Sequence, residues 1–120
     1  MILRGGHEPN YDVVSVQRAC EELAAAGLES RVMIDFSHAN SRKQHERQML
    51  VSRDVAGQIA DGNKSIIGVM IESHLVAGRQ DVVAGRELVF GQSVTDACIG
   101  WDDTETTLHE LAGAVRKRRG

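Results

Sequence analysis

Three short apolar runs constrain this chain most: Ile2-Leu3, Arg31-Val-Met-Ile-Asp-Phe36 and Ser65-Ile-Ile-Gly-Val-Met-Ile71. Each is too short for a typical helix, and the last is apolar almost throughout, as in a parallel strand covered on both faces. Between them apolar residues recur at helical spacing. Val13, Val16, Cys20, Leu23 and Ala24 follow Asp12, a candidate N-cap, and precede Gly27, a candidate C-cap, so this segment is read as a helix. A second helix is predicted from Ser41 to about Asp61, where Met49, Val51, Val55 and Ile59 lie near helical spacing and Gly62 stops the pattern. Glu72 ends the third strand. Residues 73–100 carry Gly78, Gly85, Gly91 and Gly100 with only brief apolar pairs, which predicts a long irregular excursion with a short hairpin around Leu88-Val-Phe90. A last helix is predicted from about Thr104, with Leu108, Leu111, Ala112 and Val115 on one face. Asp102, Asp103 and Glu105 at its start and Arg116-Lys-Arg-Arg119 at its end suit the helix dipole.

The order β-α-β-α-β-loop-α implies an α/β fold with a parallel sheet and right-handed crossovers. Doubly wound and barrel folds both satisfy it. Arg4, Asp35 to His38, and Glu72 fall at the carboxyl ends of the strands, where (β/α)8 TIM barrels build their sites, so the barrel is preferred. A complete barrel takes roughly 250 residues. With three strands in 120 residues, this chain reads as a piece of one barrel domain spanning residues 1–120.

Composition narrows the function. A 42% hydrophobic, 26% charged chain of this length suits one globular domain and leaves no room for two. The net charge of −3 gives no general electrostatic reason to bind nucleic acid or an anionic membrane, and 3% aromatic residues leave few stacking platforms for single strands. No apolar run approaches roughly 18 residues, and the opening MILRGGHEP lacks the apolar core of a signal peptide, so a cytoplasmic protein is expected. Cys20 and Cys98 lie far apart without CxxC spacing. They encode neither a disulfide framework nor a cysteine zinc site.

His38, Glu72 and Asp96 are three potential metal ligands, each just past a strand or in the long excursion. Matching ends of parallel strands about 4.8 Å apart can converge on one ion. One imidazole with two carboxylates suits manganese, iron or zinc. The plainer alternatives are a solvated strand end for Glu72, a helix N-cap for Asp96 before Ala97-Cys98-Ile99, and a loop hydrogen bond for His38. Arg4-Gly5-Gly6 pairs a guanidinium with two residues whose amides can approach a phosphate or carboxylate, although such a triplet is also a common turn. His74 follows Glu72 at strand period as a candidate outer partner. Cys98 reads as a small buried residue, Arg116 to Arg119 as a solvated helix end, and His7, His45 and His109 as surface residues.

Longer motifs then add a resemblance. ILRGG, EPNY, VMIDFSHANSRKQ, IIGVMIESHL and SVTDACIGWDDT resemble the carboxyl-terminal part of the type I 3-deoxy-D-arabino-heptulosonate-7-phosphate synthases, also called phospho-2-dehydro-3-deoxyheptonate aldolases, through nearly the whole chain. The resemblance implies a partial (β/α)8 barrel corresponding to the last three β/α units. It implies a metal-dependent aldol-type transferase that condenses phosphoenolpyruvate with D-erythrose 4-phosphate and releases phosphate, at the start of the shikimate pathway to aromatic amino acids. It also implies assembly as a homo-oligomer. On matching motifs, His38, Glu72 and Asp96 correspond to three of four metal ligands, and Arg4 to an arginine that grips phosphoenolpyruvate. Asp35 and Ser37 are offered as substrate-binding wall residues, and His38 as catalytic.

The fourth ligand of that family, a cysteine, and its catalytic lysine lie in earlier strands, and neither Cys20 nor Cys98 matches that cysteine. The resemblance therefore describes a truncated piece. An alternative is a non-catalytic fragment acting only in self-association or assembly. Exposed strand edges and an uncovered sheet face lead to an expectation of self-association or marginal stability.

Overall fold

All three apolar runs become strands of one parallel sheet. In this computed structural model, which describes residues 1–120, β1 (Ile2–Leu3), β2 (Val32–Asp35) and β3 (Ile66–Met70) pair in the order β1-β2-β3. Leu3 lies opposite Ile34, Ile34 opposite Val69, and Asp35 opposite Met70, so the carboxyl ends of the strands are level. Leu3, Val32, Ile34 and Phe36 are buried in one cluster with residues of the two crossover helices.

Helix α1 (Val13–Ala25) contributes Val16, Ala19 and Leu23 to that cluster. Its start is capped by Asp12, which accepts from the Ser15 amide at 3.1 Å and the Ser15 hydroxyl at 2.6 Å. Its end is set at Gly27, φ +74°, where the Leu28 amide bonds to Leu23 O and the Gly27 amide to Ala24 O. This paired arrangement needs a left-handed residue, which glycine adopts at no steric cost. Helix α2 (Gln48–Ala60) packs Val51, Val55 and Ile59 on the sheet. It begins later than the predicted Ser41. Residues 38–47 instead form two 3-10 turns, His38–Ser41 and His45–Arg47, because Arg42 and Lys43 between them are left-handed, φ 52° and 59°. A right-handed helix cannot pass through such a pair.

Helix α3 spans Trp101–Arg119, starting before the predicted Thr104, with Asp102 and Asp103 in its first turn and Arg116 to Arg119 in its last. Between β3 and α3 the expected hairpin at Leu88 to Phe90 is absent. In its place β4 (Val76–Arg79) pairs in parallel with β5 (Gln92–Ser93). The Gln80 side-chain amide occupies both polar groups of Val89, donating to its carbonyl at 2.8 Å and accepting from its amide at 2.9 Å, so a side chain stands where a partner strand would be.

The molecule is a slab of 55 × 31 × 19 Å with a radius of gyration of 16.1 Å. A compact chain of this length has about 13.6 Å. Ile2 on β1 and Ile67 on β3 are 60% and 63% exposed, so part of the sheet is uncovered. No helix is long and apolar enough to cross a membrane.

Candidate metal centre

The site begins at the end of β2. Asp35 is 1% exposed. Its Oδ1 accepts from the Ser37 amide at 2.8 Å and the Ser37 hydroxyl at 2.5 Å, and its Oδ2 lies 2.7 Å from Nδ1 of His38. His38 reaches this carboxylate because its backbone is left-handed, φ 52°. An ionised carboxylate only accepts, so Nδ1 donates and the lone pair is left on Nε2. Nε2 lies 3.5 Å from Oε1 of Glu72.

Glu72 follows β3, and α2 holds its backbone. The buried Gln48 side chain donates to Glu72 O and accepts from the Glu72 amide, both at 3.0 Å. Asp96 is brought in by the segment after β5. The Ile99 amide donates to Glu72 O, the His74 amide to Ile99 O, and Ser73 pairs with Ile99 as an isolated parallel bridge. A 2.5 Å hydrogen bond between the Ser73 and Thr104 hydroxyls ties the same strand end to α3. One ligand atom each from His38, Glu72 and Asp96 then lie within 4.8 Å of one another.

Burial pushes the Glu72 carboxyl above its usual range. The neighbouring His38 opposes this, while Asp96 and Asp35 reinforce it. Two carboxylates sharing one site repel unless a cation joins them. An imidazole nitrogen and two carboxylate oxygens are the donors of a divalent-ion site, so the residues present fit such an ion.

Arg4 leaves β1 beside this group. The buried Asn40 sets its backbone: the Asn40 amide bonds to Arg4 O at 3.2 Å, and the side chain donates to Leu3 O and Asp35 O. Gly5, φ +78°, lies so close to the Ala39–Asn40 backbone that a Cβ there would meet Ala39 Cβ at 2.8 Å. The Gly5 amide donates to Asn10 and the Gly6 amide to Glu8 O, so these two amides serve the turn and are not offered to a ligand as expected from sequence.

An open cleft of about 460 Å³ collects Arg4, His38, Glu72 and Asp96, together with Ser41, Lys43, His45, Arg79 and Ala97. Asp35 and Ser37 do not line it. They sit buried behind the imidazole, so the expectation that they form the substrate wall is replaced by an orienting role for His38. His74 turns outward, its Nδ1 accepting from the Leu75 amide in an exposed position. Cys98 stands beside the group, and burial raises its thiol pKa, with Ser93 lowering it and Glu72 and Asp96 adding to the rise. It remains a neutral thiol. Helix α3 starts too late for Asp96 to be its N-cap. Sequence reasoning missed Lys43 and Arg79 and assigned His45 to the surface. The one signal for Arg79 was its place in the long glycine-bearing excursion.

The chain is similar to known proteins along its whole length. The family model described as DAHP synthetase I family matches residues 1–109. The chain is 58% identical over 120 residues to the Phe-sensitive phospho-2-dehydro-3-deoxyheptonate aldolase of Escherichia coli, covering 100% of this chain and 34% of that protein. It is 54% identical to the phospho-2-dehydro-3-deoxyheptonate aldolase of Haemophilus influenzae, over 99% of this chain and 33% of that one. A solved structure of the Francisella tularensis phospho-2-dehydro-3-deoxyheptonate aldolase superposes with a TM-score of 0.93 at 46% identity, covering 99% of this chain and 35% of that chain. The chain thus spans about a third of the length of the relatives it matches.

Proposed function

The chain belongs to the DAHP synthetase I family, and on that premise we propose that residues 1–120 form the last three β/α units of a single (β/α)8 barrel domain. Its reaction is the condensation of phosphoenolpyruvate with D-erythrose 4-phosphate to 3-deoxy-D-arabino-heptulosonate 7-phosphate and phosphate, the first step of the shikimate pathway. The observation that carries this reading is the convergence of His38, Glu72 and Asp96 to within 4.8 Å at the carboxyl end of a parallel sheet, in a cleft that Arg4 also lines. Barrels build their sites at that end.

His38, Glu72 and Asp96 hold a divalent ion, manganese, iron or zinc, which when bound supplies Lewis-acid polarisation of a carbonyl oxygen. His38 presents Nε2 because Asp35 and Ser37 hold its other face. Glu72 stays in position because Gln48 fixes its peptide. Arg4 pairs its guanidinium fork with the phosphate or carboxylate oxygens of phosphoenolpyruvate, aligning the enol carbon for attack on the aldehyde. Water then adds to the resulting electron-poor carbon, and phosphate leaves from it. The protein acts in the cytoplasm and assembles as a homo-oligomer.

The uncovered Ile2 and Ile67 favour a second reading, in which this length of chain acts only in assembly with further barrel strands. Manganese titration followed by electron paramagnetic resonance, with phosphoenolpyruvate consumption in the presence of erythrose 4-phosphate, separates the two. Manganese binding abolished in His38→Ala and Glu72→Ala supports the metal assignment, and turnover lost with it supports the condensation. Manganese binding indifferent to both substitutions overturns the assignment. Site-specific binding without turnover leaves the assembly reading for the isolated chain.

A further inference from the structure

Helix α3 carries a charge pattern that its own chain leaves unanswered. Asp102, Glu105, Leu108, Ala112, Arg116 and Arg119 recur every three or four residues, which sets them on one stripe of the helix. We propose that this stripe is an interface between two copies of the chain, in which the two α3 helices lie antiparallel about a two-fold axis. The inference rests on the homo-oligomeric reading above and gives it a surface away from the cleft.

The rest of the helix decides which way the stripe faces. Thr104, Thr107 and Ala114 are buried, and Leu111 and Val115 pack against the core cluster, so the inner face is taken. Asp102, Glu105, Arg116 and Arg119 are exposed, and Leu108 is 51% exposed between them. Within the chain these charges find almost no partner. Glu105 Oε1 lies 3.8 Å from Nε2 of His109, while Asp102, Arg116 and Arg119 form no ion pair. Glu105 and Arg116 stand about 16 Å apart along the axis, too far to pair with one another.

An antiparallel second copy answers all of them. With the two-fold axis between Glu110 and Leu111, Asp102 of one copy faces Arg119 of the other, and Glu105 faces Arg116. The symmetry repeats both pairs. Leu108 then faces Gly113, where the small residues Ala112 and Gly113 let the backbones approach. A Cβ at Gly113 would meet only the Arg116 guanidinium, at 4.0 Å. A parallel arrangement would instead set Asp102 on Asp102 and Arg119 on Arg119, so the charges select the orientation. Compensation of the helix dipole accounts for acid at the start of α3 and base at its end. It does not account for an uncharged middle on the same stripe.

One helix face with a single exposed Leu is a small contact, below about 1,200 Å² of total buried surface, so the dimer is weak. Its exposed ion pairs are screened by salt.

The test is sedimentation equilibrium of the 120-residue chain at low and high ionic strength. A dimer that salt dissociates is expected. Glu105→Arg and Arg116→Glu each set like charges against one another and weaken dimerisation about fivefold or more. Mixing the two singly substituted chains restores it, because one then offers bases where the other offers acids at both facing positions. The chain carrying both substitutions restores it as well. Glu105→Gln, which removes the charge without reversing it, gives a smaller loss and serves where a reversal unsettles the helix, as circular dichroism would show. Ile2 and Ile67 are unchanged throughout, so association through the open sheet face is common to every sample. Weakening by the single substitutions without recovery in the mixture or in the doubly substituted chain overturns the proposal. Self-association indifferent to salt and to every substitution also overturns it, and leaves the homo-oligomer to another surface. A monomer at all concentrations overturns both the stripe and the homo-oligomeric reading.

Discussion

Asp35 Oδ2 lies 2.7 Å from Nδ1 of His38, and the opposite nitrogen of the same ring lies 3.5 Å from Glu72. One buried carboxylate therefore decides which imidazole nitrogen meets the cleft. Asp35→Asn keeps the shape but weakens the acceptor and admits the other tautomer. It is expected to lower divalent-metal affinity by about 10- to 100-fold, the usual effect of removing such a partner. Manganese titration reads the loss, and circular dichroism checks that the fold is retained. Affinity within twofold of the unsubstituted chain would remove the orienting role.

Gln48 presents the same logic for backbone. Its side chain bonds both the amide and the carbonyl of Glu72; the carbonyl keeps the Ile99 amide, so Gln48→Ala leaves the Glu72 amide unpaired in a partly buried place. The expected cost is about 2 kcal/mol in denaturant unfolding, with weaker metal binding alongside. Gln48→Glu, which keeps the acceptor and loses the donor, should fall between.

Gly5→Ala tests whether Arg4 depends on the close approach beneath it. The added methyl would meet Ala39 Cβ at 2.8 Å on backbone at φ +78°, and a loss of about 1–3 kcal/mol is expected. Gly27→Ala, at a similar φ but with open space around it, lacks the clash and should lose less. Equal losses in chemical denaturation would refute the packing argument.

The pH dependence has two opposite signs. The Glu72 carboxyl is raised above its ordinary 4.5 chiefly by burial, so its contribution to stability is complete below that value and is lost as pH rises through the folded value. Metal uptake displaces its proton, and affinity should climb over the same window. Asp12 behaves conversely. Burial raises its pKa, but hydrogen bonds from Ser15 outweigh this and hold it below 3.8, so its contribution is present above 3.8 and lost as pH falls. Thermal melts of Glu72→Gln and Asp12→Asn across the acid range should each remove one of these slopes.

The uncovered sheet face, with Ile2 60% and Ile67 63% exposed, should drive self-association. Sedimentation at rising protein concentration is expected to show growing species. A single monomer that melts cooperatively at high concentration would contradict this.

Where the governing forces are local, the sequence was readable. Apolar runs gave the three strands, and the caps at Asp12 and Gly27 bounded α1 closely, because each depends on residues a few positions apart. The start of α2 was placed at Ser41 because nothing in Arg42-Lys43 advertises two left-handed residues without glycine. The hairpin at Leu88 to Phe90 failed for a different reason: a side chain, Gln80, replaced a strand, and hydrophobic periodicity carries no trace of that. Strand ends pointed to His38 and Glu72 and the long excursion to Asp96, and the structure brings the three together. Asp35 and Ser37 were found but assigned to the wrong side of His38, since their burial depends on Asn40 and the packing around it. Lys43 and Arg79 reach the cleft from segments 36 positions apart, a relation visible only once the chain is folded.

The stitching by Asn40 and Gln48 also fixes an order of events in refolding. Asn40 closes a separation of 37 residues to Leu3, and Gln48 one of 24 residues to Glu72, whereas the caps of α1 close separations of only a few. Long closures form late, after the contacts that shorten them. Helical signal should therefore recover ahead of the amide protection of Asn40 and Glu72, and a refolding chain acquires its helices before it acquires a place for an ion.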